Sequence, residues 1–233
     1  MNVFHVPTTF FALCLLTSLR LAAFGVNWTS SLTVNSTIAY IGQQIVVTSM
    51  ISDIEAFEDT PENEYPVGNQ GNLEYRWFID GMLQNETSSC ITLQNGSNGI
   101  TGPGHFVVLC EAKLSFDGKT SAWIQVGTTT VTFFKLTFLA PNEQPITSFD
   151  IIAGHSVQLQ TVLTPNGVNA DITYETSDET FSVVSSGTSG TLTINAPNEN
   201  EKTANIIAHF NGNPVDCLAV KAVEAKVEIR IVP

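Results

Sequence analysis

The chain has 233 residues and a formal net charge of −13, with only 13% charged residues. No basic face is left to meet a phosphate backbone, which excludes nucleic-acid binding, and the same excess of carboxylates disfavours docking on an anionic membrane surface. Val, Ile, Phe and Thr recur in short runs without the 3.6-residue period of amphipathic helices, a composition that predicts strands and turns.

Residues 1–25 read as a secretory signal peptide. Phe10 to Leu16 form its apolar core, and the small residues of the Ala22-Ala23-Phe24-Gly25 stretch set cleavage after Gly25. The segment has no Lys or Arg before the core, and Arg20 follows it, two departures from the usual pattern. The apolar run is too short to span a bilayer, and no later run reaches that length. The mature chain is therefore expected to be secreted or displayed at the cell surface, without a membrane span. Four N-x-S/T sequons follow, at Asn27, Asn35, Asn85 and Asn95. In a eukaryotic secretory pathway they are glycan acceptors on surface loops or strand ends; a chain rich in Asn, Ser and Thr also produces such triplets by chance.

In the first half, strands are expected over residues 31–39 and 43–49. Residues 53–65 carry six carboxylates and no base, are punctuated by Pro61 and Pro66, and read as a long acidic loop. Closely spaced carboxylates can hold a calcium ion, but the D-x-[DN]-x-[DN]-G pattern is missing, and a solvated acidic loop is the simpler reading. Residues 73–79 alternate, with Tyr75, Trp77 and Ile79 on one face and Glu74, Arg76 and Phe78 on the other. Asp80-Gly81 is a hairpin signal. Strands follow over residues 90–93 and 105–114, the latter with Phe106, Val108 and Cys110 on one face. Asp117-Gly118 then turns the chain into a strand over residues 121–133.

These residues resemble the immunoglobulin superfamily. Trp77 stands where that family has its buried strand-C tryptophan, Phe106 where it often has a tyrosine, and Cys110 where it has its second cysteine. The resemblance implies an antiparallel sandwich with Trp77, Tyr75, Phe106 and Val108 in the core. It also implies a partner cysteine near Val47 or Ser49, which is absent, so the usual inter-sheet disulfide cannot form.

Cys14 leaves with the leader, and Cys90, Cys110 and Cys217 remain in an oxidising compartment. A Cys90–Cys110 bridge requires their strands to bring the Cβ atoms within about 4 Å. Cys217 is a buried thiol or an intermolecular link. No C-x-x-C occurs, so zinc and thioredoxin-type readings have no support.

The stretch over residues 128–140 is apolar and unbroken, so the last strand of the first half is expected to run directly into the second. There, Ala153-Gly154-His155-Ser156 followed by alternating Val157, Leu159 and Thr161 is similar to bacterial immunoglobulin-like and adhesin-type repeats, with Tyr174 in place of the usual strand-C tryptophan. Strands are expected over residues 172–178, 181–184, 191–195, 204–210 and 215–223. Lys135 to Pro141 is echoed by Lys226 to Pro233, either as the first strand of a further module beginning near residue 223 or as an unrelated edge strand.

His105, His155 and His209 have no metal-binding partner at i+2 or i+4, and no nucleophile elbow, phosphate loop or dinucleotide fingerprint is present. The expectation is an all-β chain: a signal peptide over residues 1–25 and two tandem immunoglobulin-like sandwiches over 26–133 and 134–233. It needs no cofactor or metal, is not an enzyme, and acts in adhesion, recognition or spacing on a protein or glycan ligand. Residues 53–65 and 85–98 are the candidate surfaces. One alternative is a carbohydrate-binding pair, which needs an exposed row drawn from Trp28, Trp123 and Phe78. The other is an accessory pair of a larger exported enzyme.

Overall fold

The computed structural model describes residues 24–58, 65–67, 71–186 and 190–225. Among them there is no helix. Eighteen strands follow in order: β1 (Phe24–Val34), β2 (Ile38–Tyr40), β3 (Gln44–Glu58), β4 (Tyr65–Pro66), β5 (Asn72–Ile79), β6 (Met82–Leu83), β7 (Cys90–Gln94), β8 (Gly104–Phe116), β9 (Lys119–Thr120), β10 (Ile124–Leu139), β11 (Pro145–Ile146), β12 (Ser148–Ile152), β13 (Ser156–Thr164), β14 (Ile172–Thr176), β15 (Ser182–Ser185), β16 (Thr191–Asn195), β17 (Thr203–Phe210) and β18 (Asn213–Val223).

Asp80-Gly81, Asp117-Gly118 and Asn211-Gly212 each hold two consecutive residues at positive φ. That geometry matches the right-handed twist of paired strands, and Asp/Asn-Gly tolerates it at least cost. The turns join β5 to β6, β8 to β9 and β17 to β18.

Three sheets result. One has β3 at its centre, with β1 on one side and β7 and β4 on the other; a second runs β15-β16-β13-β10-β8-β5-β6, with β2 and β11 on β10 and β9 on β8; the third runs β12-β18-β17-β14. The pairings are antiparallel except β2 on β10 and β12 on β18. The first sheet and the β10-β8-β5 part of the second enclose a core containing Ile45, Val47, Trp77, Leu93, Val108, Cys110 and Phe133. The third sheet and the β15-β16-β13-β10 part enclose another, containing Phe134, Leu136, Phe138, Phe181, Ile194, Ile206 and Leu218.

β10 serves both cores. Side chains alternate along a strand, so Val131 and Phe133 enter one cluster while Phe134, Leu136 and Phe138 enter the other; both phenylalanines are fully buried. The junction is reinforced from β2. The Ile41 amide donates to the Phe134 carbonyl at 2.9 Å. Tyr40 meets Phe134 edge-on at 5.7 Å between centroids, and Phe134 meets Phe210 at 5.0 Å. Asp216 on β18 sits beside this contact. Burial pushes its carboxyl up, while the Cys217 amide and Lys135 pull it down.

Several expectations need correction. Residues 53–58 are not loop: β3 runs on to Glu58 because Phe24 to Asn27 pair with Glu55 to Glu58. Phe24 and Gly25, placed by the sequence ahead of the cleavage point, begin β1 in that same pairing. The strand expected over residues 31–39 is two. It breaks at Ser36, whose hydroxyl bonds both the carbonyl and the amide of Ile38, and the chain crosses from one sheet to the other. Residues 1–23, 59–64 and 226–233, which include the leader core and the second copy of the terminal echo, lie outside the described residues.

The Cys90–Cys110 bridge is also corrected: both are free thiols. Cys90 precedes the buried Ile91, so alternation turns it outward, whereas Cys110 points into the core opposite Trp77. The core side chain facing Cys110 is Ser49, on β3. Its buried hydroxyl has no well-formed hydrogen bond, although the Cys110 thiol and Tyr75 hydroxyl lie within its electrostatic reach.

Two outcomes are expected. Ser49→Cys should form an inter-sheet disulfide with Cys110 and stabilise the chain by about 2–4 kcal/mol, seen as a rise in melting temperature that a reductant abolishes. Asp216 has a folded-state pKa above its unfolded value, so its ionised form costs stability above that range, and the cost disappears as pH falls. Asp216→Asn should raise the melting temperature at neutral pH, with a gain that shrinks in melts run at acid pH.

Candidate functional site

Trp77, Phe106 and Val108 are buried and Tyr75 is half-buried, all turned toward one core. The Trp77 indole N–H donates to the Ser88 carbonyl at 2.9 Å, which ties β5 to the segment that crosses to β7. Asn27, Asn35, Asn85 and Asn95 are all exposed. Asn35 also accepts the Val46 amide at 2.8 Å.

With Trp77 and Ile79 turned inward, the intervening side chains of β5 form an outer face with those of β6 and β8. Leu83, Phe78 and Leu109 stand opposite one another in register, next to Arg76 opposite Glu111, then Glu74 opposite Lys113. Directly opposed residues share one face of a sheet. The apolar end is open: Leu83 is 62% exposed, and Val107, two residues before Leu109 on β8, 44%.

The charged end is organised around Trp123, which enters just before β10. The Arg76 guanidinium lies 4.4 Å from its ring and 5.3 Å from that of Phe78; the Lys113 ammonium lies 4.9 Å from the Trp123 ring. Arg76 also pairs with Glu111, and Lys113 with Glu74 at 3.0 Å. A cation over an indole contributes about 0.5–2 kcal/mol, and each carboxylate fixes the cation there. The result is a preorganised, nearly neutral patch on an acidic chain.

A cleft of about 650 Å³ opens beside this patch, between Leu73 to Arg76 on one side and Leu83 to Thr87 on the other. Asn85 and Glu86 are among the residues that line it. The Ser88 and Thr87 amides, at 2.9 and 3.0 Å, hold the Glu86 carboxyl below the usual range. Of the two candidate surfaces, residues 85–98 thus contribute their beginning. Residues 53–58 lie elsewhere, on the first sheet.

No group of three or more His, Cys, Asp or Glu able to hold a metal occurs among the described residues. His105 bonds Thr132 at 2.9 Å and His209 lies 3.0 Å from Glu175. No helix there is long and apolar enough to cross a membrane. Of the three aromatics a sugar platform would draw on, Trp28 packs against a core, Phe78 meets Arg76, and Trp123 carries two cations.

The strand order is immunoglobulin-like: β1, β3 and β7 in one sheet face β5, β8 and β10 in another. No protein-family model and no curated protein matches the chain. Among solved structures it is similar to three N-terminal domains of the highly immunogenic outer capsid protein of bacteriophage RB49, at 12% identity over 88% of this chain and 71% of that one, TM-score 0.39. It is similar to fibronectin(III)-like modules of Clostridium thermocellum CbhA, at 14% identity over 87% and 100%, TM-score 0.31. A third is the Escherichia coli adhesin FdeC, at 14% identity over 88% and 67%, TM-score 0.30.

Burial raises the Cys110 thiol to about 12, with Ser49 pulling down and Glu111 adding to the rise. The thiolate is the reactive form, so Cys110 stays neutral through the physiological range. Iodoacetamide on the native chain at about pH 8 should alkylate Cys90 and Cys217 and spare Cys110, which reacts only after denaturation; peptide mass spectrometry reads this directly.

Proposed function

We propose that the chain is an exported, non-catalytic recognition or adhesion protein that meets a protein ligand with the outer face of β6, β5 and β8. The observation that carries this reading is the open apolar end of that face, with Leu83 and Val107 exposed beside Phe78 and Leu109. Exposed apolar side chains flanked by fixed, balanced charges make a surface that loses little on desolvation and selects its partner by charge pattern. We read residues 1–25 as a signal peptide that exports the chain. We read residues 26–133 and 134–233 as two sandwiches in tandem, held at a fixed angle by the shared strand β10 and the Tyr40–Phe134–Phe210 contact. We read Asn27, Asn35, Asn85 and Asn95 as glycan acceptors, since all four side chains are exposed. None of them lies among the residues that form the face itself.

Beads coated with the purified chain test the reading. They should adhere to cells, and Leu83→Asp with Val107→Asp should cut adhesion at least tenfold at an unchanged melting temperature. Both residues are exposed, so the fold should tolerate the change. Wild-type beads that adhere to nothing, or variant beads that adhere equally well, sink the proposal.

A further inference from the structure

The edge of β5 is incomplete. On one side β5 pairs with β8 along its whole length, from Asn72 opposite Ser115 to Ile79 opposite Val108. On the other, β6 covers only Phe78 and Ile79, and the Gln84 amide closes the pairing on the Trp77 carbonyl at 2.8 Å. Backbone groups alternate in direction along a strand. Since the Trp77 carbonyl points to this edge, so do the amides and carbonyls of Tyr75 and Leu73, where no described strand pairs with them. The 650 Å³ cleft lies along this same stretch. Edge strands present a ready template for another chain, and proteins commonly cover them.

We propose that this edge accepts an extended basic peptide segment of a partner protein as an added antiparallel strand. The inference rests on the reading of the neighbouring face as a recognition surface and supplies its binding mode. Residues of the guest opposite Leu73 and Tyr75 would use their own amides and carbonyls to complete the ladder, with apolar side chains lying beside those two half-buried ones. Alternate guest side chains would fall on the outer face, next to Glu74, with Glu86 across the cleft. Glu74 is 48% exposed on its side chain and shared with a single lysine; Arg76 is already paired to Glu111. Among the described residues lining the cleft, the carboxylates of Glu74 and Glu86 outnumber the one cation, Arg76, which is held by Glu111, on a chain of net charge −13. That selects lysine or arginine on the guest and opposes a second copy of this chain.

The test uses the full chain made in a host without N-glycosylation, because Asn85 lines the cleft. The probes are a capped heptapeptide of alternating lysine and valine, its glutamate counterpart, and the lysine peptide N-methylated at its valines. Amide resonances report binding. The lysine peptide should shift Leu73, Tyr75 and Gln84 and slow hydrogen exchange at the first two. The glutamate peptide should bind at least tenfold more weakly, and the methylated one should not bind, since it cannot donate to the Leu73 and Tyr75 carbonyls. Glu74→Lys with Glu86→Lys should reverse the preference between the two charged peptides. Equal binding of the methylated peptide, shifts confined to Trp123 and Lys113, or no shift with any peptide overturns strand addition. Bead adhesion lost on Leu83→Asp and Val107→Asp would still stand in that case, so the two proposals fail separately.

Discussion

Phe133 and Phe134 are consecutive, fully buried, and in different cores. Two neighbours on a strand must point to opposite faces. A single strand can therefore serve two cores in succession only if the faces exchange roles at that point: what is outside for one core is inside for the other. β10 meets this constraint with Val131 and Phe133 on one parity and Phe134, Leu136 and Phe138 on the next. A Gly/Ser tether would leave the two cores free to swing; a continuous ladder, with β2 bonded along its side and Tyr40 wedged at Phe134, does not.

The parity rule also explains why the outer face of β5 and β8 carries what it does. Trp77, Ile79, Val108 and Cys110 claim the inner positions, so Phe78, Arg76, Leu109, Glu111 and Lys113 are displayed. On an isolated strand pair, crossed Arg–Glu and Lys–Glu contacts at the surface contribute little. Here Trp123 gives both cations a second contact and restricts them to one geometry. The indole is placed by the β8–β9 hairpin, whose Asp117-Gly118 turn sends the chain back along β8 on the side away from β5. A turn signal at the end of β8 and a surface cluster on β5 and β8 are thus linked through the backbone.

Much of this was legible. Trp77 and Cys110 were recognisable because alternation and turn chemistry are local properties, and both hairpin turns of the first half lie where Asp-Gly stands. The continuation of one half into the other was visible in the unbroken apolar run over residues 128–140. What the sequence concealed depends on partners distant along the chain. Asp53 to Glu58 looked like loop because their carboxylates and nearby prolines dominate; their strand exists because Phe24 to Asn27, assigned in part to the leader, pair with them. Cys90 and Cys110 looked like a pair because both lie on strands, but the face of each follows from a neighbour's burial. The Arg76–Trp123 stack had no sequence signature at all, since 47 residues of chain separate the two and only the hairpin closes the gap.

The missing inter-sheet disulfide bears on how the edge of β5 is held. Where a cystine would cross-link β3 to β8, this chain has a poorly satisfied Ser49 hydroxyl and a neutral Cys110 thiol. The cross-link that remains near the edge is the Trp77 indole bond to Ser88. It holds the segment leaving β6 against the core, but attaches beyond the point where β6 has parted from β5. Between the Gln84–Trp77 bond and the Ser88 anchor, residues 85–87 do not pair with Leu73 and Tyr75, and the cleft lies between the two segments. A sandwich clamped through its indole in this way can keep a short edge open without loosening its core, because the indole, two residues along β5 from the uncovered Tyr75 backbone, is fully buried and tied to Ser88.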